Sequence, residues 1–82
     1  NQSETVGELL SFSECGMQVC YDYRYAVDGI TYTGLLRTNV VIWECRYGGK
    51  CAGRRFRVFY SKVDPSNSKL DLSKEFKDSD LR

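Results

Sequence analysis

The sequence has no histidine, one proline, one methionine and one tryptophan in 82 residues. Without histidine, every His-based triad, dyad or metal facial site is excluded. No apolar run approaches the length needed to cross a membrane as a helix. No Cys-x-x-Cys motif is present, so a thiol–disulfide catalyst lacks its usual signature. The glycine pair Gly48-Gly49 is followed neither by a helical pattern nor by Lys-Ser/Thr, so it is not a phosphate loop. Net charge is only +1, which by itself points to no nucleic-acid partner.

The four cysteines, Cys15, Cys20, Cys45 and Cys51, are an even count in a short chain. That favours a disulfide framework in an oxidising compartment. A chain of this size buries a modest share of its surface, and cross-links are a common remedy. Reduced buried thiols are the bland alternative. A zinc site is the sharper rival, but the Cys-x4-Cys and Cys-x5-Cys spacings are wider than the usual knuckle and no histidine completes a mixed set. No metal or cofactor is therefore expected. Of the three possible pairings, Cys15–Cys20 with Cys45–Cys51 is favoured, because Gly16 and Gly48-Gly49 let each short loop double back. A pairing that joins the two regions is the alternative.

Length implies one domain over residues 1–82, with a core at about 5–72 and a polar tail at 73–82. The clearest local signal is Asp28-Gly29 between two alternating runs, the mark of a two-residue type I′ hairpin. That turn sets Val27 opposite Ile30, Tyr25 opposite Tyr32, Tyr23 opposite Gly34 and Tyr21 opposite Leu36, all on one face. Asp22, Arg24, Ala26, Thr31 and Thr33 fall on the other. Gly34 leaves room for the Tyr23 ring to cross the neighbouring strand. Upstream, Val6, Leu9, Leu10 and Phe12 suggest a first strand bent or bulged near Gly7, with a short helix as the alternative. Val40–Arg46 reads as a further strand, apolar in both phases, and Arg54–Tyr60 as another, with Phe56, Val58 and Tyr60 inward and Arg55 and Arg57 outward. After the turn at Asp64-Pro65-Ser66-Asn67-Ser68, a short strand is expected at Lys69–Leu72. Ser73–Arg82 reads as a frayed tail or one helical turn with Phe76 tucked down. The expected fold is all-β: one small, antiparallel, strongly curved sheet or open barrel of five to six strands.

Charge is unevenly spread. Residues 1–30 sum to −4, residues 31–62 to +6 and the remainder to −1. The basic middle either forms a positive face or pairs with the acidic first third, and pairing is the favoured reading in a compact sheet. Carboxylates such as Asp22, Asp28 and Glu44 could serve general acid/base chemistry only in principle, and surface carboxylates in a sheet are far more often solvating. The tyrosines Tyr21, Tyr23, Tyr25, Tyr32 and Tyr60, with Phe56, could form an aromatic platform beside Arg54, Arg55 and Arg57, as on single-strand nucleic-acid surfaces. Period-2 aromatics on one hairpin face are more simply a small β core. Trp43 and Tyr47 are better candidates for exposed contact.

The run Tyr23-Arg24-Tyr25-Ala26-Val27-Asp28-Gly29-Ile30-Thr31-Tyr32-Thr33-Gly34 reads Y-x-Y-x-V-D-G-x-x-Y-x-G. It is followed by Gly53-Arg54-Arg55-Phe56-Arg57-Val58-Phe59-Tyr60-Ser61 and then by Pro65 and Ser68. This pattern, over about residues 5–72, resembles small uncharacterised exported or membrane-anchored bacterial β proteins. The resemblance implies a curved antiparallel sheet and a cell-envelope setting, and it carries over no functional residue. This sequence departs from the family in lacking a hydrophobic anchor. Its opening at Asn1, inside polar sequence, fits a chain whose leader or anchor has been removed.

The reading preferred from sequence is a non-enzymatic module of the periplasm, cell envelope or secreted space that binds another protein, of inhibitor or immunity type. The candidate contact residues are Trp43, Arg46, Tyr47, Lys50, Arg54, Arg55 and Arg57. The alternatives are an anion or nucleic-acid binder using the basic 46–57 segment and a cryptic hydrolase.

Overall fold

The structure, a computed structural model, describes residues 2–77. Five strands and one helical turn follow one another: β1 (Gln2–Cys15), β2 (Gln18–Val27), β3 (Ile30–Thr38), α1 (Trp43–Arg46), β4 (Arg55–Ser61) and β5 (Ser68–Phe76). They form one antiparallel sheet in the order β3-β2-β1-β4-β5. The sheet curls until its two edge strands, β3 and β5, approach each other without pairing.

The hairpin register is the one the Asp-Gly turn dictates. Val27 pairs with Ile30, Tyr25 with Tyr32, Tyr23 with Gly34 and Tyr21 with Leu36. Asp28 and Gly29 both take positive φ, 53° and 81°, as a type I′ turn requires. Ile30 departs from expectation. It is 57% exposed, because it sits at the hairpin tip beyond the reach of the strands that cover the rest of that face.

The strand β1 is bulged as expected, although the irregularity lies between Leu9 and Ser11 rather than at Gly7. Leu10 is the extra residue. The bulge resets the alternation, so Leu9 and Phe12, three apart, both face the tyrosine side of β2. There Leu9 packs with Val19, Tyr21, Tyr23, Tyr25, Val27, Phe56, Val58 and Leu70 to form the core.

Two sequence expectations are overturned. Val40–Arg46 is not a strand: residues 40–42 are irregular and Trp43–Arg46 is a helical turn. The apolar, β-branched run suggested a strand, but the Tyr21 hydroxyl takes the backbone there. It donates to the Val40 carbonyl at 2.8 Å and accepts from the Ile42 amide at 2.9 Å. The Ile42 carbonyl then accepts from the Cys45 amide at 2.9 Å and opens the helical turn. Nor does chain order end in a tail at Ser73, because β5 continues to Phe76. Between the pairs Arg57–Asp71 and Phe56–Glu75 the register shifts, and residues 72–74 arch out of the ladder. The Asp71 carboxylate holds that arch by accepting from the Ser73 amide at 3.0 Å and its hydroxyl at 2.6 Å. The rest of the expected tail, residues 78–82, lies outside the described residues.

Candidate functional site

Cys45 and Cys51 are bonded to each other with Cα atoms 4.4 Å apart, and both are buried against the core. Cys15 and Cys20 form the second bridge, Cα atoms 6.1 Å apart, across the β1–β2 turn. The first bridge turns residues 45–51 into a closed knuckle anchored from below. The Glu44 carbonyl completes it, accepting from the Gly48 and Lys50 amides at 3.1 and 3.0 Å.

Trp43 and Tyr47 stand four apart across the helical turn, a spacing that puts both on one face. Their rings stack at 5.3 Å between centroids and 11° between planes. They are nevertheless 61% and 73% exposed, with exposed Val40 nearby in sequence. Arg46 sends its guanidinium to Glu14 of β1 at 3.1 Å and lies 6.0 Å from the Tyr47 ring centroid. Exposed Lys50 completes the loop.

The other sequence candidates separate from this group. Arg54 grips Glu75 of β5 with two parallel bonds, Nε to Oε2 at 2.8 Å and Nη2 to Oε1 at 2.7 Å, and reaches Glu44 at 3.2 Å. Arg57 holds Asp71 through Nε and Nη2 at 2.9 and 2.8 Å, with Glu4 of β1 at 3.8 Å. Arg55 is half-buried on β4, opposite Glu8 of β1 and Phe76 of β5 in the strand register. Three basic residues of the middle segment, Arg46, Arg54 and Arg57, are thus drawn into ion pairs, Arg46 and Arg57 with the acidic first third and Arg54 and Arg57 with β5. The hydrogen bonds from Arg54 hold the Glu75 carboxyl below its usual range. Those from Ser73 and then Arg57 do the same for Asp71. Glu44 is lowered too, first by its own backbone amide and then by Arg54. Of the other two carboxylates considered from sequence, Asp22 accepts from Ser11 Oγ at 2.7 Å and Asp28 sits in the hairpin turn.

The tyrosine stripe is core, as the simpler reading had it. Tyr21, Tyr23 and Tyr25 are buried, and Tyr32, Tyr60 and Phe56 pack with them, so no open aromatic platform exists on that face. Each buried hydroxyl reaches a polar partner: Tyr21 to the 40–42 backbone, Tyr23 to Ser68 Oγ at 2.8 Å and Tyr25 to the Pro65 carbonyl at 2.7 Å. Burial pushes the Tyr23 hydroxyl pKa up.

Sequence reasoning missed a groove of about 680 Å³ at the seam between β3 and β5, lined by Leu36, Thr38, Val40, Leu70 and Leu72 among others. No local signal marks it, since it exists only because the sheet curls. The chain matches no protein-family model, no curated protein and no solved structure.

Proposed function

We propose that this chain is a non-enzymatic binding module that contacts another protein through the Trp43–Tyr47 knuckle, in the manner of a small inhibitor or immunity protein. The observation that carries the reading is the pair of stacked, exposed aromatics on a loop closed by a buried disulfide. Trp and Tyr are over-represented among residues that dominate interface energetics. Their usual entropic cost on binding is small here, because stacking and the bridge already restrict them. The two disulfides are compatible with an oxidising compartment, and we place the module in the periplasm, the cell envelope or the secreted space on that ground. The commitment of Arg54 and Arg57 to carboxylates is the reason for preferring a protein to a polyanion.

Affinity capture from envelope extract, run side by side with the wild type and Trp43→Ser/Tyr47→Ser, tests this reading. Both side chains are exposed, so the variant should unfold at the wild-type midpoint. A protein held by the wild type and lost by the variant is expected. Identical captured sets would overturn the knuckle as the contact. A salt titration against DNA and RNA is the companion control, because phosphate contacts weaken steeply with salt.

A further inference from the structure

Five strands that alternate in direction cannot close on themselves with antiparallel pairing throughout. Every neighbouring pair in the order β3-β2-β1-β4-β5 is antiparallel, so β3 and β5 run in the same direction across the seam. One strand placed between them and running the opposite way would be antiparallel to both. We infer that the β3–β5 seam is an acceptor site for an extended peptide segment of a partner protein, one whose residues alternate apolar and acidic.

The β3 edge supplies the backbone ladder. In a two-residue hairpin the flanking pair, Val27 and Ile30, is hydrogen-bonded, so alternate N–H and C=O groups from Thr31 onward point away from β2, and those of Leu35 and Arg37 lie on the open side of the seam. Arg37 is the one charge on this edge, and the other usual protections are missing. Its nine residues contain no proline, no bulge in the register and no inward charge. The β5 edge, in contrast, is interrupted by the arch at 72–74.

The seam is pinched at one end, where Tyr23 passes Gly34 and meets Ser68. Beyond the pinch it widens into the groove, with Leu36, Thr38 and Val40 on one wall and residues 69–73 on the other. Strand alternation then fixes the chemistry. Leu36 and Leu70 face inward, so alternate residues of an inserted strand meet an apolar wall. Arg37 and Lys69 face outward on the two flanking strands, and among the described residues neither has an ion-pair partner. Asp71 also lines the groove, but Arg57 and Ser73 already occupy its carboxylate. Residues of the inserted strand that point outward therefore meet unpaired positive charge, which selects Asp or Glu. Main-chain pairing would give affinity, and the alternation would give specificity.

The test uses the native, disulfide-bonded protein and a fluorescently labelled eight-residue peptide alternating valine and glutamate. Saturable binding by anisotropy is expected. It should vanish when lysine replaces glutamate in the peptide and when alternate peptide amides are N-methylated. Amide exchange at Leu35 and Arg37 should slow on binding, because those groups gain partners. Arg37→Glu/Lys69→Glu, at two exposed positions, should weaken binding by about tenfold or more. Absence of saturable binding overturns the inference, as does binding indifferent to N-methylation or protection that avoids β3. Trp43→Ser/Tyr47→Ser should bind the peptide as the wild type does, so failure here leaves the knuckle reading standing.

Discussion

The Tyr23 hydroxyl lies 2.8 Å from Oγ of Ser68, a residue 45 positions later in the chain. To get there the ring crosses β3 where residue 34 has no side chain. A Cβ at Gly34 would lie 2.5 Å from both Cζ and Oη of Tyr23. The glycine on one edge strand thus lets β2 tie down the other edge strand and hold the curl of the sheet.

Gly34→Ala should therefore destabilise the fold by about 1–3 kcal/mol, the range for overpacking a tight site. The sign is informative. Glycine to alanine inside a strand ordinarily removes unfolded-state entropy and stabilises. Tyr23→Phe should cost about 1 kcal/mol through the lost hydrogen bond. Denaturant midpoints with both bridges intact measure each variant, and a stabilised Gly34→Ala would show that the ring does not cross at that point.

Phe56 is 3% exposed and sits with Val58 and Leu9 at the centre of the core. Phe56→Ala should cost about 3–5 kcal/mol by chemical unfolding. A loss well under about 1 kcal/mol would place Phe56 on the surface instead.

Acid should weaken the attachment of β5. Glu75 and Asp71 are held below the usual carboxylate range in the folded chain. Each binds fewer protons folded than unfolded over mildly acidic pH, so its stabilisation is complete above the unfolded value and is lost as pH falls through the folded one. Urea midpoints should hold steady down to about pH 5 and fall below it. Glu75→Gln should lower stability by about 1–2 kcal/mol near neutrality and flatten the acid decline. An unchanged acid profile in that variant would remove Glu75 from the account.

Trypsin without reduction checks the bridges directly. It cuts after Arg46 and Lys50, so the peptide ending at Arg46 should remain joined to Cys51-Ala52-Gly53-Arg54. Cys15 and Cys20 should stay closed within the single peptide that ends at Arg24. A species joining that peptide to one carrying Cys45 or Cys51 would contradict the pairing. Cys45→Ser/Cys51→Ser should cost about 2 kcal/mol, because the loop it opens is short.

The parts legible in the sequence were those set by neighbours. Asp28-Gly29 fixed the β2–β3 register through turn geometry alone, and the glycines inside each short cysteine loop favoured the local bridges. The exposure of Trp43 and Tyr47 is also legible, although the pattern puts Trp43 on a strand and Tyr47 just past its end rather than both on one helical turn. What failed was set from a distance. The run from Val40 to Trp43 is apolar and β-branched, so its pattern pointed to a strand. Its conformation is decided by the hydroxyl of Tyr21, some twenty residues earlier. Ser73–Phe76 looked like a polar tail because its strand character depends on Glu75 meeting Arg54 across the ladder. The β3–β5 groove had no sequence signature, since its walls come from strands that are not paired with each other.

The central claim is that the knuckle carrying Trp43 and Tyr47 is the surface that meets another protein. The most direct measurement is photo-crosslinking in the native envelope, with a benzophenone side chain placed at position 47 in one protein and at position 62 in another. Position 62 is also exposed but lies beyond the far end of β4. A discrete adduct from position 47 that is absent from position 62 is the predicted result. No adduct from 47, or the same adducts from both positions, would contradict the account.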